Sequence, residues 1–177
     1  DGKSVVFLRQ AKGCDRNLFI RDLQSGEERL LSSNAGKYDL LRWSIDGTHV
    51  TATRVSACIH KNPQERCQEV TQWAVNKIND GPVEDARLIA CDHAEITDME
   101  WLSSELLALL TREGGRQTQL SNFNMNSGET RVIDLGTGMS PYSLSYSGKN
   151  KQLAVLSIDG AGINTLQLLN RDFDIKQ

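Results

Sequence analysis

The sequence is poor in proline, histidine and aromatic residues, and it has no long apolar run. Its 177 residues include three prolines and three histidines, with aromatics at 6%. No apolar stretch approaches the roughly 20 residues that a membrane-crossing helix needs, and no basic segment followed by an apolar one marks a signal peptide. The Gly-X-Ser-X-Gly elbow of serine hydrolases is missing. Gly136-Thr137-Gly138 lacks the rest of a phosphate-cradling loop. His49, His60 and His93 share no ligand spacing, and the stretch Cys91-Asp92-His93 reads as ordinary loop. No catalytic residue, metal or cofactor is therefore expected. Twenty basic against 23 acidic side chains leave a net charge of -3, so direct contact with nucleic acid is not expected either. What remains, at 38% hydrophobic and 24% charged residues, is the composition of a folded globular domain.

Helical periodicity is scarce as well. Short apolar or alternating runs dominate, bounded by Gly, Asn, Asp and Ser, which is the pattern of strands. Val5 to Leu8, His49 to Thr53, Leu106 to Leu110, Gln152 to Leu156 and Thr165 to Leu169 are among the clearest. Ser103 to Glu113 has the propensity of a helix, but its place in the repeat predicts a buried strand. The repeats are explicit. Asp1-Gly2-Lys3 returns as Asp46-Gly47-Thr48, each time before a strand. Trp43, Trp101 and Tyr146 each precede a polar turn and then a strand, and are expected in the core between neighbouring sheets. Asp22-Leu-Gln-Ser25-Gly26-Glu returns as Asn124-Met-Asn-Ser127-Gly128-Glu. Glycine at such turns tolerates the positive φ that a tight reversal requires.

A period near 45 residues with four strands each predicts an all-β, β-propeller-like array of about four four-stranded antiparallel units in one domain, residues 1–177. The expected units are 1–37, 38–93, 94–136 and 137–177, the first lacking its innermost strand. In the second unit the strands are expected at Leu40 to Ser44, His49 to Ser56, Thr71 to Asn79 and Ala86 to Cys91.

Four cysteines, Cys14, Cys58, Cys67 and Cys91, permit two disulfides in three connectivities. Cys58 and Cys67 bound a polar, proline-containing stretch between two strand-like runs, so they are expected to bridge across a hairpin loop. Such a bridge stabilises by roughly 2–3 kcal/mol in the chain-entropy model. Cys14 with Cys91 follows by elimination. Both bridges imply an oxidising compartment, and the absence of any Asn-X-Ser/Thr sequon suits a bacterial periplasm. The Cys58–Cys67 loop is the only large insertion among the units, and insertions in repeat proteins tend to carry binding. His60, Lys61 and Asn62 inside it are the expected contact residues for a partner or ligand, with Trp73 added if it is exposed. The acidic stretches around Asp80 and Asp92 read as solvated hairpin loops.

The phrases Leu41-Arg-Trp-Ser-Ile-Asp-Gly-Thr-His-Val50 and Arg21-Asp-Leu-Gln-Ser-Gly-Glu-Glu-Arg-Leu30 resemble the TolB-type, WD-like β-propeller repeat. Ile45 stands where that repeat has proline, Ser103-Ser104 replaces the third Asp-Gly, and the fourth copy shortens to Ser147-Gly148-Lys149. The resemblance implies three settings. One is the periplasmic sensory half of a CadC-like, membrane-anchored transcription regulator. A second is the non-catalytic propeller of a prolyl-oligopeptidase-type hydrolase, and the third a TolB-like envelope scaffold. The first is favoured. It implies a non-enzymatic periplasmic domain that binds a protein partner or small-molecule signal, is tethered to the membrane by a segment outside this sequence, and is open to homodimerisation.

Overall fold

The computed structural model describes residues 2–32, 35–57, 66–75, 84–90, 94–114, 117–170 and 172–173. Among them there are strands and turns and no helix. Fourteen strands form four antiparallel sheets, each a simple meander. Sheet 1 comprises β1 (Ser4–Gln10), β2 (Arg16–Asp22) and β3 (Glu28–Leu30). Sheet 2 comprises β4 (Lys37–Trp43), β5 (His49–Ala57), β6 (Arg66–Ala74) and β7 (Glu84–Ala90). Sheet 3 comprises β8 (Ala94–Trp101), β9 (Leu106–Glu113), β10 (Gln119–Asn124) and β11 (Thr130–Ile133). Sheet 4 comprises β12 (Ser140–Ser147), β13 (Gln152–Ile158) and β14 (Asn164–Leu169). The all-β, four-sheet expectation holds. Among the described residues the fourth sheet, like the first, has three strands.

The chain divides into two compact units, Asp1–Cys91 and Asp92–Gln177, of two sheets each. In the first, Val6, Leu8, Leu18 and Ile20 of sheet 1 pack with Tyr38, Val50, Ala52 and Trp73 of sheet 2. In the second, Ala108, Leu110, Leu120 and Ile133 of sheet 3 pack with Leu144, Leu153, Val155 and Leu169 of sheet 4. Each fully buried leucine contributes roughly 1.5–3 kcal/mol. Period-2 alternation sends one set of side chains from every strand into these cores. β9 is the exception that settles the helix competitor. Leu107, Ala108, Leu109 and Leu110 are all buried in succession, as in a strand with both faces covered. That burial outweighs helix propensity.

The repeated turns are built alike. In the β2–β3 turn the amides of Gln24 and Ser25 donate to Asp22 Oδ1 at 2.8 and 2.7 Å, and Gly26 N–H donates to the Asp22 carbonyl at 2.9 Å. In the β10–β11 turn Asn126 and Ser127 donate to Asn124 Oδ1 at 2.8 and 3.0 Å, and Gly128 to the Asn124 carbonyl at 2.8 Å. Gly26 and Gly128 have φ of 74° and 76°, a region that L side chains enter only with strain. The other repeated turn, between the first two strands of a sheet, uses Gly47 at φ 68° between β4 and β5, whereas between β12 and β13 the positive φ falls on Lys151 at 51°.

The β4–β5 turn holds a carboxyl well below the usual carboxylate range. Asp46 Oδ1 accepts from the Ser44 hydroxyl at 2.6 Å, the Thr48 amide at 3.0 Å and the Thr48 hydroxyl at 2.7 Å. These donors, Ser44 first, lower its pKa to about 2. The folded value lies below the ordinary one, so the turn's contribution is present above about pH 4 and is lost as pH falls toward 2. Asp46→Asn is expected to be less stable than the native chain at neutral pH, with the two converging by pH 2. Urea midpoints across that range measure it, and a gap that persists at pH 2 would refute the assignment.

Candidate functional site

Three features of the scaffold stand out. The first is the long hairpin of sheet 2. β5 and β6 have nine residues each, the longest strands described, and pair without interruption from His49–Ala74 to Ala57–Arg66. The β9–β10 and β13–β14 pairs stop after six. At about 3.3 Å per residue, the extra three pairs carry the hairpin roughly 10 Å farther. β6 begins at Arg66, five residues before the expected start at Thr71, because the ladder runs on into the cysteine stretch. Cys67 lies in β6 opposite Ser56. Cys58, His60, Lys61, Asn62 and Cys91 fall outside the described residues. Cys14 is an exposed free thiol in the β1–β2 turn.

Trp73 is not on this surface. It is 1% exposed and meets Tyr38 edge-on, with ring centroids 5.6 Å apart at 69°. Its pairing opposite Val50 directs it into the core between sheets 1 and 2, so it is a core residue and not a contact residue. Trp43 and Tyr146 are half-buried against the cores of their own units, and Trp101 is fully buried.

The second feature is a set of bulges in the first strand of sheets 2, 3 and 4. Register breaks between Asp39 and Arg42 in β4, Ile96 and Asp98 in β8, and Pro141 and Ser143 in β12. All three lie within the five residues before the repeat aromatic, Trp43, Trp101 or Tyr146. Bulges bend a strand and re-aim the residue they extrude. In β4 the strained residue is Leu40, at φ 47°. In β12 the bulge leaves Tyr142 half exposed, its hydroxyl donating to Asn164 Oδ1 at 3.3 Å. In β8 it turns Asp98 inward. This carboxylate is 8% exposed. Its Oδ1 accepts from Met99 N–H and its Oδ2 from Leu144 N–H, both at 2.9 Å. It therefore ties the first strand of sheet 3 to the first strand of sheet 4.

The third feature is an uncovered apolar face. Of the large hydrophobic residues exposed among the described ones, Leu156, Ile158, Ile163, Leu166 and Leu168 all lie in the β13–β14 hairpin. The sequence signal for it was present: in Leu153-Ala-Val-Leu-Ser-Ile158 both alternating sets are largely apolar, as in a strand meant to be covered on two sides. No group of three or more His, Cys, Asp or Glu side chains among the described residues is placed to hold a metal ion.

No family model matches this chain, and no curated protein is similar to it in sequence. Solved structures are. TolB from Acinetobacter baumannii superposes with a TM-score of 0.60 at 16% identity, over 97% of this chain and 39% of that one. A TolB-assigned protein of Agrobacterium tumefaciens gives 0.67 at 13% identity, over 99% and 61%. Oligopeptidase B from Leishmania major gives 0.63 at 14% identity, over 99% and 25%. The chain thus spans between a quarter and about three fifths of these proteins. At such identities the likeness speaks for the fold alone, and together with the four antiparallel sheets it makes this an array of β-propeller blades.

Proposed function

We propose that this chain is a non-catalytic propeller module that binds a protein partner, with the long β5–β6 hairpin and its His60, Lys61 and Asn62 as the contact segment. The observation behind it is that hairpin: the longest strand pair described carries the one large insertion of the repeat. The ladder brings the chain to Ala57 on one side and Arg66 on the other of that stretch, and insertions of this kind tend to carry binding. The structural likeness to TolB supports a scaffold role. The likeness to oligopeptidases supports a second reading, a propeller accompanying a hydrolase domain. The tethered, signal-transmitting variant has only the sequence resemblance behind it, so the scaffold is preferred. An extracytoplasmic location, bacterial periplasm in particular, goes with a Cys58–Cys67 bridge.

Cross-linking in cell-envelope extracts tests the reading. The native chain and the triple variant His60→Ala, Lys61→Glu, Asn62→Ala are compared at equal thermal midpoint. A defined partner captured by the native chain and lost from the variant is expected. Retention by the variant would move contact away from the hairpin. A hydrolase domain found in the same polypeptide would favour the second reading. Mass spectrometry before and after reduction adds the compartment: a free Cys58 and Cys67 in protein taken from cells would withdraw the extracytoplasmic proposal.

A further inference from the structure

Sheet 2 shifts register once between β6 and β7, and the shift bears on its cysteines. Trp73 pairs with Glu84, Thr71 with Ala86 and Val70 with Arg87. Two residues farther along β6, Gln68 pairs with Ala90. Leu88 and Ile89 of β7 thus share the place opposite Glu69 of β6, which is a bulge with one extra residue in β7. Without that residue the register would set Cys67 against Ala90. With it, the step after Gln68–Ala90 is Cys67 with Cys91. Directly opposite residues of an antiparallel pair have Cα atoms about 4.5 or 5.5 Å apart. A disulfide needs roughly 4.4–6.8 Å, so either kind of pair suits a bridge.

The register offers Cys58 less. Cys67 pairs with Ser56 of β5, and Arg66 with Ala57. Cys58 comes two residues after Ser56 in the chain. Continuing the same ladder would make it a diagonal neighbour of Cys67, at about 7–8 Å. That exceeds the usual span of a bridge. Cys14 is a free thiol in the β1–β2 turn.

We propose that Cys67 and Cys91 form a cross-strand disulfide that ties β7 to β6, with Cys14 and Cys58 left as thiols. As the Sγ–Sγ bond forms, the two thiols give up two protons and two electrons. One glutathione disulfide takes them up and leaves as two glutathione thiols. The bridge is one residue from Arg66, the last residue of β6 paired before the 58–65 insertion, so it joins the foot of that insertion to a second strand. It implies the same oxidising compartment as a Cys58–Cys67 pairing and replaces that pairing. It does not depend on partner binding.

Peptide mapping without reduction is the test. Trypsin leaves the four cysteines in four separate peptides, 13–16, 55–61, 67–77 and 88–112. The native chain is equilibrated in a glutathione buffer rich in the disulfide form, alkylated and digested. The expected map joins peptide 67–77 to peptide 88–112 and shows Cys14 and Cys58 alkylated. A Cys58–Cys67 link overturns the proposal. So does a Cys67 recovered alkylated or capped by glutathione. Melting gives a second readout. Cys91→Ser should lower the thermal midpoint of the oxidised chain by roughly 5–10 °C. A reductant should lower the native midpoint by the same amount and leave Cys91→Ser where it is, and Cys58→Ser should melt like the native chain. A native midpoint that a reductant does not move would also refute the bridge. Should Cys91→Ser fail to fold, the map of the native chain still decides. Loss of partner capture in the hairpin variant would leave both readouts unchanged, so the two proposals fail separately.

Discussion

Replacing Trp73 by alanine is expected to lower stability by roughly 3–5 kcal/mol, the cost of emptying a large buried aromatic site. Trp73 is 1% exposed, touches Tyr38 and sits in the core between sheets 1 and 2. Against a total of about 5–15 kcal/mol for a domain, that loss is a large share of the margin. Trp73→Phe should cost far less, about 1–2 kcal/mol for the smaller ring. The indole N–H has no hydrogen-bond partner in the structure, so phenylalanine gives up packing volume and no polar contact. Urea denaturation of both variants measures the difference. If Trp73→Ala cost under about 1 kcal/mol, the buried placement would be wrong, and the expectation of a surface tryptophan would return.

That reversal illustrates what the sequence makes legible. Turns were readable because glycine and the Asx or Ser side chains act through neighbours in the chain: the Asp22 and Asn124 turns repeat bond for bond. Strand identity was readable even for Leu106 to Leu110, since the repeat register outweighed helix propensity. The start of β6 was not. A ladder extends as far as both strands offer backbone partners, and the polar residues from Arg66 to Glu69 pair as well as apolar ones do. The direction of Trp73 follows from its pairing with Val50, a register set by the whole hairpin rather than by local composition. The candidate contact segment, His60 to Asn62, was named from insertion length, which the chain states openly. Asp98 gave no such sign. One aspartate in Glu95-Ile-Thr-Asp-Met-Glu reads as a solvated carboxylate among others. Only the bulge between Ile96 and Asp98 turns it inward.

Asp98→Ala is the second large loss expected. The substitution removes the acceptors of two buried N–H groups, those of Met99 and Leu144. A buried donor left without its acceptor costs about 1–3 kcal/mol, so with two such donors the variant should lose roughly 2–6 kcal/mol. Asp98→Asn should recover only part of this. Its single oxygen can accept from one N–H, while its amide nitrogen faces the other donor-to-donor. Hydrogen exchange gives a site-specific readout: the Leu144 amide should exchange much faster in both variants, more so than the amides of β13 that pair within sheet 4. An unchanged Leu144 amide in Asp98→Ala would show that the tie is dispensable.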